Sequence, residues 1–558
     1  MASVPDLRRY ASLADAADDN LPRLGDRILF RAETADGGRE DWSALDLLRR
    51  SRLAAFRFLD AGVKRGDPVL IWSTSTPQMV ALVVGAWRAG VIPVPLDLRF
   101  TSDVVERVGE RASAHWIVVG DGNHLNDSAF AGMRRLSLAE LVDPATAALP
   151  ADWEAQVTAL PKPTRSDLLA IMYTSGTTGQ PRGVMISHGN VLEPWQIGFS
   201  KWYSRLTLRY IYGRKFRVIA TMPMSHIYGM SGVYASLIFG IQIAFPRSRT
   251  PRALLQAMRD YQATSLNGAP RILEIIWRQL LNEIDAAGLR ESFDQRRQRS
   301  ARYPYWIRRR MFKRELALLG GAVTAVGSAS AYLPPDLQKA WEGIGLPVTQ
   351  GYGATECGGI AGTTPLRHPV GKVGRVSPAN TVELAPDGEI IVAGPGVSAG
   401  YWRDADATRS SWDEKGRYHT GDIGQFDRKG NLILIGRKKN VIVLSSGLNV
   451  YPEDIEGALR DAGLGDTVVV ETEPGRIEAI ILDATPDERR QAQSARIDAA
   501  VRAANATLTA HERVDGWRIW PEADFPRTLT DKIRRDPVRA WAASDAVPIP
   551  VREGLAEA

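Results

Sequence analysis

Cysteine is nearly absent: Cys357 is the single one in 558 residues. One thiol excludes an intramolecular disulfide and a Cys-based zinc site. It points to a reducing compartment, so a cytoplasmic location is expected. Residues 1–19 lack the charged-then-apolar pattern of a secretory leader, in keeping with that expectation. Lysine is scarce as well, supplying 12 of the 70 basic residues and leaving 58 Arg. Where Lys stands in so Arg-rich a chain, the position is a candidate for needing a compact ammonium. Long apolar runs are missing. The nearest, residues 218–245, is broken by Pro223, Ser225, His226, Ser231, Ser236 and Gln242 and reads as buried core rather than a membrane span. Charge of one sign is also lacking: 70 bases face 64 acids, for a net +6. That mild basic bias suits a phosphate-bearing ligand or an anionic membrane surface without choosing between them.

What is present is the composition of a globular chain, 44% hydrophobic and 24% charged. It excludes disorder, collagen and coiled coil as overall descriptions. At about 150 residues per domain the length predicts three or four folding units. Residues 42–119 alternate helical and strand patterns: helices over 42–61, 78–90 and 102–112, strands over 68–72, 91–96 and 115–119. That alternation predicts an open, mostly parallel sheet. The pattern resumes with a strand at 168–173 and continues to about 333. It is interrupted by a basic stretch at 205–217 and a basic, aromatic one at 296–314. From about 370 to 435 hairpin signals dominate, with Pro386-Asp387-Gly388 as one turn and residues 427–430 as another. A smaller α+β unit follows from 436, and residues beyond about 543 read as a loose tail.

The strand at 168–173 runs into Tyr173-Thr174-Ser175-Gly176-Thr177-Thr178-Gly179-Gln180-Pro181-Arg182-Gly183-Val184. Three glycines let backbone N–H groups approach a ligand closely, and four hydroxyls add donors. Such a loop suits phosphate oxygens. It is not a Walker loop, because Gly-Lys-Ser/Thr is absent. Further along stand Gln350-Gly351-Tyr352-Gly353-Ala354-Thr355-Glu356, then Tyr418-His419-Thr420-Gly421-Asp422. Next come Gly436-Arg437-Lys438-Lys439-Asn440 and Phe525-Pro526-Arg527-Thr528-Leu529-Thr530-Asp531-Lys532-Ile533.

In this order the motifs resemble those of the adenylate-forming superfamily: acyl-CoA synthetases, adenylation domains of peptide synthetases, and luciferases. The resemblance spans essentially the whole chain. It implies an α/β fold: a large N-terminal domain of mixed β–α sheets with a β-rich subdomain near 370–435, and a smaller, mobile α+β C-terminal domain. The expected domains are 1–435 and 436–558, with a hinge at 436–440 and a catalytic lysine loop at 525–535. Domain rotation about Lys439 would separate two half-reactions.

The resemblance also implies residue roles. Thr174, Ser175, Gly176, Thr177, Thr178, Gly179 and Arg182 would hold ATP phosphates. The family usually has Lys where Arg182 stands, so the charge is kept. Tyr352, with Gly353 beside it, would pack on adenine and Thr355 would meet phosphate. Glu356 would help hold Mg2+, as a hard oxygen ligand can. Asp422 would accept from the ribose hydroxyls, a task that suits an all-acceptor carboxylate, with Arg437 reaching ribose or phosphate. Lys532 would bridge the substrate carboxylate and the α-phosphate, as the sole Lys after Lys439. Asp531 replaces the usual Gly before it. Gly447, in Ser445-Ser446-Gly447-Leu448-Asn449, would lie near the tunnel for the coenzyme A thiol. Pro223-Met224-Ser225-His226-Ile227-Tyr228-Gly229 resembles a motif lining the acyl pocket. There His226 either gates the pocket or sits near the carboxylate, unless it is a satisfied core histidine. Residues 264–270 and 327–330 are expected to line the same pocket with small side chains.

No Asp falls in 223–235 or 264–271 to pair an amino-acid ammonium, which tilts against an amino acid substrate. The motif forms are most similar to bacterial medium- or long-chain fatty acyl-CoA ligases. Three readings stay open: a fatty acyl-CoA ligase, an acyl-AMP ligase loading an acyl carrier protein, and a catalytically silent acyl or nucleotide sensor. The 296–314 stretch suits either peripheral contact with an anionic membrane or a solvated helix. No recognised nucleic-acid module is present. Cys357 reads as a small buried residue rather than a reactive thiol.

Overall fold

The computed structural model describes residues 6–34, 37–120, 132–146, 148–174, 181–200, 216–444, 448–483, 490–527 and 532–544. Its contacts divide the chain into a larger unit, residues 1–382 and 392–419, and a smaller one, residues 383–391 and 420–558.

In the larger unit, strands β1 (Ile28–Glu33) and β2 (Arg39–Ser43) pair antiparallel. Ser43 then starts the helix Ala44–Asp60 through a capping box: its hydroxyl accepts from Asp46 N–H, and Asp46 accepts from Ser43 N–H. The apolar stripe of that helix packs on the helix Pro77–Ala89 so closely that a Cβ on Gly85 would lie 2.5 Å from the Ser51 carbonyl oxygen. Strands β3 (Pro68–Trp72), β4 (Ile92–Pro95), β5 (Trp116–Val119) and β6 (Arg134–Ser137) form an all-parallel sheet in the order β4-β3-β5-β6. This is the arrangement that the β–α alternation predicts. The next strand, β7 (Leu168–Thr174), does not extend that sheet. It pairs antiparallel with β8 (Arg182–Ser187).

Strands β9 (Arg217–Ile219) and β10 (Gln242–Phe245) run parallel to β1 in the order β2-β1-β10-β9. A further sheet holds β11 (Ser265–Gly268), β12 (Ala325–Ala329) and β13 (Val348–Ala354) in parallel, followed by antiparallel β14 (Gly358–Gly362) and β15 (Arg375–Val376). The carboxyl ends of β11, β12 and β13 lie side by side, with Gly268 opposite Ser328 and Ser328 opposite Gln350. Crevices outside such ends are where open α/β sheets bind ligands. One side of this sheet is covered by a core that includes Leu273, Trp277, Phe293, Phe312 and Trp341.

In the smaller unit, a tight turn joins β16 (Thr381–Leu384) to β17 (Glu389–Ala393): Gly388, at φ 82°, donates to the Ala385 carbonyl. β18 (Tyr418–Phe426) and β19 (Leu432–Arg437) are antiparallel. β20 (Ile442–Val443) pairs with β21 (Asn449–Val450). β22 (Thr467–Glu473), β23 (Arg476–Ile481) and β24 (Gly516–Ile519) make a three-stranded sheet. Helices Pro452–Asp461 and Arg490–Asn505 contribute Ile455, Leu459, Ile497 and Val501 to its core.

Candidate active site

The glycine- and hydroxyl-rich loop springs from a paired base. Thr174, the last residue of β7, stands opposite Arg182, the first of β8. The two sequence-predicted residues at the ends of the loop are therefore neighbours. Ser175, Gly176, Thr177, Thr178 and Gly179 lie outside the described residues. Gly183 is fixed by packing, since a Cβ there would meet Ile171 Cγ2 at 2.7 Å. The segment 400–402 adds to the other side of β8, with Trp402 N–H donating to the Gly183 carbonyl at 2.7 Å.

That added segment carries Tyr401, a residue that sequence reading missed. The Arg182 guanidinium sits over its ring, 5.4 Å from the centroid. Its hydroxyl donates to Glu356 Oε1 at 3.0 Å. Burial, with the Glu356 carboxylate alongside, pushes the Tyr401 phenol above its usual range, so it remains a donor. Arg182, Tyr401 and Glu356 thus form one contiguous group drawn from three separate segments. The pairing of an apolar-ringed donor with an acid 45 residues away has no local signature.

Glu356 occupies the turn between β13 and β14. Its carbonyl accepts from Ser398 N–H at 2.7 Å, and Cys357 N–H donates to the Ala354 carbonyl. Gly353 must be glycine here, because a Cβ would fall 2.1 Å from the Gly358 carbonyl oxygen. Tyr352 is buried at the edge of this hairpin, Thr355 is half-buried in the turn, and Cys357 is buried. Behind the strand runs a polar chain, also absent from the sequence reading. Gln350 Nε2 donates to Gln338 Oε1 at 2.9 Å, Gln338 Nε2 donates to Glu342 Oε1 at 3.0 Å, and His368 Nδ1 lies 2.8 Å from the same oxygen. This chain fixes β13 two residues before Tyr352.

His226 is the N-cap residue of the helix Ile227–Phe239, and its Nε2 lies 3.7 Å from Asp97 Oδ2. Burial alone would raise the Asp97 carboxyl. His226 and Arg99 overcome it and hold the group well below the carboxylate range. Residues of the segments 264–270 and 327–330 stand side by side on the neighbouring strands β11 and β12. Ser328 Oγ and Ser225 Oγ are both buried with no hydrogen-bond partner, so each has capacity left for a polar ligand.

In the smaller unit Asp422 and Arg437 face each other across β18 and β19, with Arg437 Nε 2.7 Å from Asp422 Oδ1. Arg437 also donates to the Thr420 carbonyl at 3.2 Å. The Thr420 hydroxyl donates to the Ile390 carbonyl at 2.8 Å and accepts from Asp422 N–H. Lys438 is held by Asp387 and Glu389 at 2.6 and 2.9 Å. Lys439 is exposed and belongs to no such pair among the described residues. Local desolvation lowers its ammonium, with Asp536 opposing and Arg437, Arg539 and Arg535 reinforcing. Gly447 lies outside the described residues, in the connection between β20 and β21.

Lys532 is exposed on a loop whose base is closed by a β-bridge between Arg527 and Ile533 and by Arg534 N–H donating to the Pro526 carbonyl at 2.7 Å. Arg527 is anchored by Asp466 and Asp524, and Phe525 is buried against Trp520. The loop therefore springs from a rigid clamp.

Among the described residues no three of His, Cys, Asp or Glu gather to hold a metal. No helix among the described residues is long and apolar enough to cross a membrane. In the basic, aromatic stretch, Trp306 is 70% exposed and Tyr303 45%.

Fold and site geometry define the class: an adenylate-forming type of α/β enzyme, with a large N-terminal and a smaller C-terminal part. Residues 19–402 match the model of the AMP-binding enzyme family, and residues 439–542 match that of the AMP-binding enzyme C-terminal domain. The chain belongs to the AMP-binding enzyme family. It is 26% identical over 566 residues to the long-chain-fatty-acid–CoA ligase FadD15 of Mycobacterium bovis, covering 91% of this chain and 92% of that protein. Its fold is similar to that of ATP-bound MatB from Rhodopseudomonas palustris, with TM-score 0.73 and 22% identity over 95% of this chain and 99% of that one. It is also similar to O-succinylbenzoate coenzyme A synthetase from Bacillus subtilis in complex with ATP and magnesium. The TM-score there is 0.71, at 20% identity over 94% of this chain and 99% of that one.

Proposed function

We propose that the protein is an acid–thiol ligase that activates a carboxylic acid, with a fatty acid as the substrate class. In the first half-reaction a carboxylate oxygen attacks the α-phosphorus of ATP, pyrophosphate leaves, and an acyl-adenylate forms. In the second, the thiol of coenzyme A attacks the carbonyl carbon of that mixed anhydride, AMP leaves, and an acyl-CoA results. No side-chain nucleophile is needed, so positioning and charge carry the catalysis. Mg2+, when bound, supplies charge neutralisation at the phosphate oxygens, and Glu356 would hold it. Arg182 and the loop from Thr174 would cradle phosphate. Tyr352 and Gly353 would bed the adenine, Asp422 and Arg437 would take the ribose, and Lys532 would bridge carboxylate and α-phosphate. His226 would border the acyl end. A turn of the domain starting near 436 about Lys439 would then withdraw Lys532 and bring the segment around Gly447 to the thiol.

The observation that carries this reading is the Arg182–Tyr401–Glu356 group, which joins the end of a phosphate-suited loop to a candidate magnesium ligand. The names of the relatives support coenzyme A as acceptor over a carrier protein. Retention of Glu356, Asp422, Arg437 and Lys532 speaks against a silent sensor. Peripheral contact with anionic lipid belongs to the same reading and is supported by exposed Trp306 and Tyr303 beside Arg302 and Arg310. Sedimentation with phosphatidylglycerol vesicles reads it, and no sedimentation at low salt rejects it.

The test of function is mass spectrometry of one incubation containing protein, ATP, Mg2+, coenzyme A and a mixture of fatty, aryl and amino acids. A fatty acyl-CoA is expected. Acyl-adenylate without thioester would move the acceptor to a carrier protein, and the absence of both products would reject the ligase.

A further inference from the structure

Beside β1, at the amino ends of β9 and β10, Arg27, Arg31, Arg217 and Gln242 line a cavity of about 330 Å³. That is the low end of small-molecule pockets and larger than inorganic phosphate needs. Three guanidiniums share it. The carboxylate that reaches them is Asp41, 3.3 Å from Arg31 Nε. That approach misses hydrogen-bond geometry, and Arg31 Nε is buried without a hydrogen-bond partner. Among the described residues no carboxylate pairs with Arg27 or Arg217.

The positions are built rather than loose. Arg217 and Gln242 are register partners in the β9–β10 pair. Arg217 Nε donates to the Gln262 carbonyl at 2.9 Å, which orients the guanidinium, and Gln242 Nε2 donates to the Ile28 carbonyl at 2.7 Å. Burial pushes Arg217 down, and the charge of Arg31 pushes it further the same way. Arg27 is exposed and Arg31 and Arg217 are half-buried, and like charges brought to one cavity repel unless an anion answers them. Guanidinium forks match phosphate oxygens two at a time.

We propose that this cavity is a binding site for a small soluble phosphomonoester. It stands apart from the acid-activating machinery. The segment 223–229 with His226 follows the carboxyl end of β9, whereas the cavity lies at the amino end of the same strand. The backbone of Arg217 also exchanges hydrogen bonds with Thr264, where β11 begins its run toward the expected acyl pocket.

The test is isothermal titration of the full chain with inorganic phosphate and with glycerol phosphate at constant ionic strength. The double variant Arg31→Gln/Arg217→Gln and the single variant Arg27→Gln are compared with Arg107→Gln, an exposed helix position outside both sites. The double variant is expected to weaken both probes at least tenfold and the Arg27 variant less, with thermal melting unchanged, while Arg107→Gln titrates like the parent. Equal titrations in parent and double variant would overturn the site, as would no heat with the parent. Binding to phosphatidic acid vesicles that the double variant loses, with silent soluble titrations, would overturn the soluble ligand. None of these readouts depends on the chain being a ligase, so failure here and failure of the proposed activity are separate.

Discussion

Tyr401→Phe removes one atom from the candidate site and leaves the rest of the side chain in place. The ring still packs edge-on against Trp412, 5.1 Å between centroids, and still faces Arg182. What goes is the 3.0 Å hydrogen bond to Glu356 Oε1. A hydrogen bond to a charged acceptor contributes about 1.5–3 kcal/mol. If half or more of that fixes the carboxylate for its cation, KM for Mg-ATP rises on the order of 10-fold, since about 1.4 kcal/mol is one decade. The apparent requirement for free Mg2+ rises with it, whereas saturating ATP and Mg2+ restore most of kcat. Tyr401 acts through Glu356 and is a positioning residue, so the split between KM and kcat is the informative quantity. The assay is initial-rate pyrophosphate release against Mg-ATP and against Mg2+ at fixed acid, with thermal melting in parallel. A KM within twofold of the parent would refute the reasoning. So would a loss seen only in melting temperature, which would make the bond purely structural.

Two further outcomes are expected. Lys532→Ala lowers adenylation by about 100-fold or more, the scale for removing a group aimed at developing charge, yet still converts preformed acyl-adenylate to thioester; equal loss in both half-reactions contradicts that division. His188 supplies a pH limb: buried, with Nδ1 accepting from Leu13 N–H at 3.2 Å, its ring is pushed by burial to about 3. The unfolded chain, at about 6.5, takes up the proton first, so stability is full above that pH and declines as pH falls toward 3, by about 2 kcal/mol at pH 5. His188→Gln is expected to flatten that decline in urea unfolding at pH 7, 6 and 5, and parallel slopes in the two proteins would exclude His188 as its source.

Local elements were legible because their causes are local. The strand Pro68–Trp72 and the helix Ser102–Ala112 follow from period and flanking turn residues, and the structure keeps those bounds. Pro386-Asp387-Gly388 gives a turn because glycine takes the positive φ the turn requires. The motif residues could be named from sequence because each motif is short and self-contained. Asp422 and Arg437 are brought face to face by a hairpin of neighbouring strands.

Tertiary structure alone decided three other things. β7 does not join the parallel sheet and pairs antiparallel with β8. Residues 383–391 group with the C-terminal unit, where Ile390 accepts from Thr420 and Asp387 and Glu389 hold Lys438. Tyr401 reaches Glu356 across 45 residues, Gln350 reaches Gln338 across 12, and His368 reaches Glu342 across 26. A residue's period and neighbours report which face it presents. They do not report what that face will meet, because the partner of a buried polar atom is chosen by how distant elements pack and by the cost of leaving that atom unpaired.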